Sequence, residues 1–293
     1  MGNRRIGTRR LEGALDNLLG HARLGGLNGS PFAIKNPDRI YLEEYFAQRP
    51  CINADMASAT EATREVANKH FEVLGTNISS DDVTFATTTA GILLTPDGAN
   101  GDQVIVLPHL DTNQSAWTGT KWGTENQVQW ECAIRTDADD IDDTTIWAGL
   151  KLTNVPVMAT DANQAYFIYG AEDDDAGALT TNANLHFVYS VANTDYVTDL
   201  GITVAAATDY RLGIQIDSDR KVSAWVNGVQ YGLTTTADAD GVEVSPASGD
   251  ESSLSVALTD DIDLIPYVGI MNQAGTARDM VLYYEKISRI FFE

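Results

Sequence analysis

From Phe71 onward, apolar and polar side chains alternate in short runs. Val128, Trp130, Cys132 and Ile134 interleave with Gln127, Gln129, Glu131 and Arg135, a period of two that describes a strand with one dry face. Leu212, Ile214 and Ile216 interleave with Arg211, Gln215 and Asp217 in the same way. Further strands are expected at 83–94, 103–109, 145–153, 165–170, 184–191, 201–206, 253–257, 264–270 and 279–292. Turn-forming pieces separate them: Pro96-Asp97-Gly98, Asp139-Asp140, Asp173 to Gly177 and Ala237 to Gly241. Many short strands with no helix of useful length imply an all-β chain of two stacked antiparallel sheets.

The first sixty residues follow another grammar. Leu11, Ala14, Leu15, Leu18 and Leu19 fall at helical spacing, and Gly20 stands where a cap would end that helix. A helix over about residues 10–20 is too short to hold alone, so its stripe must bury against something. Gly25, Gly26, Gly29 and Pro31 mark a joint, and residues 30–60 read as an extended strap. Ser58 and Glu61 have capping-box spacing, but little apolar periodicity follows them. The expected division is an N-terminal arm and strap over 1–60 and a β-sandwich over 61–293. No apolar run follows the basic N-terminal residues, and Ile6 occupies the position where myristoylation wants Ser or Thr. Glu12 and Asp16 argue against a transit peptide, so the N-terminus is expected to belong to the mature protein.

Charge sharpens this division. The chain holds 19 basic and 42 acidic residues, a formal net charge of −23. Residues 1–50 carry eight basic side chains against five acidic ones (+3), leaving eleven against thirty-seven (−26) for the rest. So acidic a body argues against a partner that is nucleic acid or an anionic membrane. A basic leader on an acidic body suits docking onto an acidic surface. No run approaches the length of a membrane-spanning helix, and two cysteines cannot form a disulfide scaffold. Cys132 falls on the apolar face of its strand and reads as a buried free thiol.

The most informative segment is 209–232, where a strand, the acidic turn Asp217-Ser218-Asp219, a strand bearing Trp225, and Val226-Asn227-Gly228-Val229 follow in order. Asn-Gly between strands signals a type I′ hairpin, because both central residues need positive φ. This ladder resembles the concanavalin A-like (laminin-G-like) jelly-roll sandwich over about residues 70–293. The resemblance implies a fold that serves sugar-binding modules and β-glucanases. The retaining glucanases of that fold carry Glu-x-Asp-x-x-Glu on a strand, and this chain does not; Glu125, Glu131, Glu172 and Glu243 stand apart.

A second resemblance begins with Met-Gly-Asn-Arg-Arg-Ile-Gly-Thr-Arg-Arg-Leu-Glu, which looks like the opening of small virion proteins of tailed phages. The run 102–114, the stretch from Trp117 to Glu125 and the segment 146–153 are similar to the jelly-roll bodies of those proteins. It implies a capsid decoration (cement) protein or another virion structural component.

Other chemistry finds little footing. His21, His70, His109 and His186 form no paired-ligand motif, and His109-Leu110-Asp111 reads as a strand end. Nucleophile elbows and phosphate loops are absent from the sequence. The weak metal candidates are Asp238 and Asp240, with clustered oxygens also in 137–143 and 172–175. Calcium needs six to eight oxygens and the Asp238 loop lacks a closing Glu, so no cofactor is expected, with calcium as the alternative. Trp130 and Trp147 fall within strands and read as core; Trp117 and Trp122, in a Gly/Thr-rich stretch, are a possible exposed platform for glycan.

The expected function is therefore that of a phage virion structural protein without enzymatic activity. It would decorate the outer capsid as a homotrimer, made in the host cytoplasm, with the major capsid protein as partner. Arg4, Arg5, Arg9 and Arg10 would meet capsid carboxylates while Leu11, Leu15 and Leu18 fill a groove. The alternative is a carbohydrate-binding lectin-like module on the virion, serving host recognition; an atypical glycoside hydrolase is a third reading.

Overall fold

The structure, a computed structural model, describes residues 39–52, 68–79, 81–108, 120–170, 179, 183–237 and 255–290. Its strands are β1 (Arg39–Glu44), β2 (Pro50–Ile52), β3 (Asn68–Thr76), β4 (Val83–Phe85), β5 (Ile92–Leu94) and β6 (Gln103–Pro108). There follow β7 (Trp122–Gly123), β8 (Gln129–Thr136), β9 (Thr144–Lys151), β10 (Gln164–Gly170), β11 (Asn184–Val191) and β12 (Thr194–Thr203). The last are β13 (Asp209–Ile216), β14 (Val222–Val226), β15 (Val229–Tyr231), β16 (Asp263–Asn272) and β17 (Met280–Ile290).

They form two sheets. The first runs β15-β14-β13-β8-β17-β5-β4 with β1 also on β17; the second runs β12-β11-β10-β9-β16-β6-β3-β2 with β7 on β16. All pairings are antiparallel except β2 on β3. The expected all-β, two-sheet sandwich is what the chain forms. Its hairpin signal is also met: Asn227 and Gly228 have φ of 51° and 86°, the positive pair that lets β14 turn tightly into β15. At the β13–β14 turn, Asp217 Oδ1 accepts the amides of Asp219 and Lys221, both at 2.8 Å.

Two details depart from the expected organisation. Within the span read as an arm, Arg39–Glu44 pairs along its whole length with the part of β17 from Ile290 to Glu285, and Pro50–Ile52 pairs with β3. That stretch is extended, as expected, but it satisfies its backbone on its own sandwich. The Leu11–Leu19 helix and the basic residues Arg4, Arg5, Arg9 and Arg10 lie outside the described residues. The second detail is at 253–257, where residues 255–257 are not a strand, while β12 begins at Thr194, well before the expected 201.

The core between the sheets takes the dry faces: Trp130, Cys132 and Ile134 of β8, Leu212, Ile214 and Ile216 of β13, Ile146, Ala148 and Leu150 of β9, Val268 and Ile270 of β16. Each large apolar side chain so buried is worth about 1.5–3 kcal/mol. Cys132 is a free thiol within it.

The second sheet is apolar on its other face as well. Ile105, Leu107, Trp147, Tyr166, Ile168, Val188, Val197 and Tyr267 form a second buried cluster there, roofed in part by Met158 and Leu179. Glycines make this packing possible. A Cβ on Gly269 would lie 2.4 Å from the Trp147 ring, so the indole can lie flat across β16 only because Gly269 has none. Gly149, with φ of 150°, lets Tyr166 close against β9 in the same way.

Candidate functional site

Of the sequence candidates, Arg4, Arg5, Arg9, Arg10, Leu11, Leu15, Leu18, Trp117, Asp238 and Asp240 all fall outside the described residues. Trp122 is described and is corrected: it is 2% exposed, on β7 against Leu264, and belongs to the core. Its Gly/Thr-rich surroundings suggested a surface loop, but pairing with β16 folds the indole inward. The acidic run 137–143 spends its oxygens locally. Asp137 Oδ1 accepts the Asp139 amide, Asp140 Oδ1 accepts the Asp142 amide, and Arg278 bonds Asp140 at 2.9 Å. Among the described residues, no group of three or more His, Cys, Asp or Glu side chains is placed to hold a metal ion.

The polar side chains gather on two surfaces. On the second sheet's outer face, a relay of hydrogen bonds crosses neighbouring strands beneath the segment 152–163. Ser190 donates to Asp195, Gln164 Nε2 donates to Ser190 Oγ at 2.7 Å, and Lys151 Nζ donates to Gln164 Oε1. Lys151 also meets Asp161 at 3.1 Å, with both side chains wholly buried, and sits 4.0 Å above the Tyr166 ring. Burial drives the Lys151 pKa down to about 8 against the pull of Asp161. Asp161 Oδ2 further accepts the amides of Leu152 and Thr153, so this cluster anchors the covering segment.

The first sheet's outer face is different, and a β-bulge shapes it. Between Leu282 and Tyr284 the register of β17 on β8 shifts by one residue. A regular strand would send Tyr283 and Tyr284 to opposite faces; the bulge turns both outward. Tyr283 donates to Asp209 Oδ1 at 2.8 Å and Tyr284 donates to Glu131 Oε1. Arg135 bonds the same Asp209 oxygen at 3.0 Å. Burial first and Glu131 second push the Tyr284 hydroxyl pKa well up, so it stays a donor. Lys286 Nζ lies over the rings of Tyr284 and Tyr45, at 4.4 and 5.0 Å.

Cross-strand register places these groups around a small-residue floor. Trp225 faces Gly213, and Gly213 faces Glu131; one register step along, Arg211 faces Ala133, and Ala133 faces Tyr284. At about 4.8 Å per strand, Trp225 and Glu131 stand about 10 Å apart across Gly213. Trp225, Arg211, Tyr283 and Tyr284 are half-buried, while Gly213 and Ala133 are buried beneath them. Aromatic faces beside the exposed Asp209 carboxylate and a guanidinium, above a floor without bulk, can stack on the C–H face of a ring and hydrogen-bond its rim. The alternation around 127–135 and 209–217 reveals Arg211, Glu131 and Arg135 as polar-face residues, but nothing there joins them to Tyr283 and Tyr284.

No protein-family model matches the chain. No curated protein matches it either. Solved structures do resemble it. A protein of unknown function from Shewanella oneidensis MR-1 is 10% identical, with a TM-score of 0.50, over 86% of this chain and 87% of that one. The carbohydrate recognition domain of Emp47p is 9% identical, with a TM-score of 0.47, over 87% and 96%. A Bacteroides ovatus GH16 protein of a mixed-linkage glucan locus, solved with a G4G4G3G product, is 7% identical, with a TM-score of 0.47, over 84% and 99%. These are likenesses of fold alone. The expectation that the chain is not an enzyme is withdrawn, since glycosyl hydrolases stand among the solved structures that resemble it, at 7% and 9% identity.

Proposed function

We propose that the chain is a carbohydrate-binding, lectin-like β-sandwich, borne on a virion for host recognition, that takes glycan on the outer face of its first sheet. The observation that carries this reading is the bulge at Leu282–Tyr284, which sets two adjacent tyrosines on one face, each fixed by a carboxylate. Ordered aromatic rings with engaged hydroxyls are pre-organised for stacking, so a ligand is spared the cost of ordering them. Fold likeness to a carbohydrate recognition domain is in keeping with the reading and adds no residue to it. A glycan array read with the purified chain, and again with Trp225→Ala, tests it. Binding that falls about tenfold or more in the variant, at unchanged thermal stability, supports the site. An array without binding sinks it. The same array, assayed for released reducing ends, reads any hydrolysis.

A second reading, capsid decoration, draws on the split between +3 in residues 1–50 and −26 in the remainder. Arg4, Arg5, Arg9 and Arg10 would form charge-assisted hydrogen bonds with carboxylates of a major capsid protein, with the chain as a homotrimer on the capsid surface. Removing residues 1–30 should abolish co-sedimentation with capsids and leave the sandwich folded. Full occupancy by the truncated chain would contradict it.

A further inference from the structure

Resting on the glycan reading above, we propose that the Trp225–Tyr284 face selects uncharged hexose chains and excludes uronic, sialylated and sulfated ones. The selection comes from how the cations of the face are engaged. Arg135 is held by Asp209 at 3.0 Å, and Tyr283 donates to that same oxygen. Lys286 is clasped by the Tyr284 and Tyr45 rings, with Glu131 and Glu43 facing it from β8 and β1. An incoming carboxylate or sulfate would have to take a cation from its present partner while Asp209, Glu131 and Glu43 repel it. A hydroxyl faces no such conflict: it can donate to the exposed Asp209 carboxylate while leaving the Arg135–Asp209 pair in place.

The long-range field acts in the same direction. Residues 51–293 carry a net −26, so a polyanion approaches against a repulsive potential. That repulsion is screened within about 8 Å at physiological salt and reaches further at low salt.

The test immobilises neutral β-glucan and mannan beside alginate, chondroitin sulfate and sialyllactose, and measures retention of the full chain in 20 mM and 150 mM NaCl. Retention on the neutral polymers at least about tenfold above that on the acidic ones at 20 mM, lost in Trp225→Ala, is the expected result. Asp209→Asn keeps an acceptor for Tyr283 and releases Arg135, and it should narrow the gap several-fold by raising acidic retention. Acidic polymers retained as well as neutral ones, with retention still lost in Trp225→Ala, would overturn the selectivity and leave the glycan site standing. No retention on any polymer would overturn the glycan reading, and this inference with it.

Discussion

The indole Nε1 of Trp130 donates to Glu285 Oε1 at 2.8 Å inside the apolar layer between the sheets. The other carboxyl oxygen, Oε2, is buried without a hydrogen-bond partner among the described residues. Glu285 is there because of the bulge: once Tyr283 and Tyr284 both face outward, the next residue must face the core.

Burial pushes the Glu285 pKa up to about 8, against the smaller opposing effect of the Trp130 bond. A carboxyl whose pKa is higher folded than unfolded stabilises fully below the unfolded value, and that contribution is lost as pH rises toward the folded one. Glu285 should therefore erode stability between about pH 4.5 and 8, by about 1.4 kcal/mol per pH unit at most. Glu285→Gln keeps the Trp130 bond and cannot ionise. Its melting temperature should match the parent near pH 4.5 and exceed it by several degrees at pH 8, as thermal melts across that range would show. Parallel melting curves for the two proteins would mean that the carboxyl is not held against ionisation.

Gly269 and Trp147 allow a test of the second sheet's outer cluster. In Gly269→Ala the new methyl would meet the indole at 2.4 Å, with the ring locked among buried neighbours. Overpacking of this kind costs about 1–3 kcal/mol, to be read as a fall in the urea midpoint. Adding Trp147→Phe should return part of that loss, since the smaller ring can withdraw from β16. A double variant whose losses simply add would show that the contact is not the cause.

Lys151 and Asp161 should be strongly coupled. Asp161→Asn leaves Lys151 in a dry site without its counter-charge and weakens the anchor on Leu152 and Thr153. Breaking a buried pair from one side costs about 3–5 kcal/mol. Adding Lys151→Met to Asp161→Asn should recover a good part of this, because no charge is then left buried. A double-mutant cycle in urea measures the coupling, and a value near zero would show the two groups to be independent.

Much of the architecture was legible because local chemistry and tertiary packing agree. Asn227-Gly228 supplies the positive φ pair that its hairpin needs, and the dry side of 128–134 is the side that meets the other sheet. Elsewhere they diverge. β12 was half hidden because Asp195, Val197 and Asp199 mix charge and hydrocarbon on one face while Thr198 sits opposite Phe187 on the other. β9 is buried on both faces, so the period-two signal is weak there. The candidate site was the least visible part. Period-two reading pairs Tyr283 with Glu285 and sets Tyr284 opposite, and a bulge reverses that assignment while leaving no mark on composition. Trp122 misled for a related reason, since its burial depends on a partner strand some 140 residues away in sequence.

Tyr284 joins the bulge to the proposed site, so its hydroxyl can be tested apart from its ring. Tyr284→Phe keeps the surface over which Lys286 lies and removes the donor to Glu131. Glu131 is 1% exposed, and losing a donor at a buried carboxylate costs about 1.5–3 kcal/mol in stability. Tyr284→Ala loses the stacking face as well, so the two variants separate the two roles. If the ring is a platform for glycan, Tyr284→Phe should retain most of the parent's affinity on the array while melting lower. Tyr284→Ala should lose both. Affinity lost equally in the two variants would make the hydroxyl, through Glu131, the group that organises the face, and the ring incidental to binding.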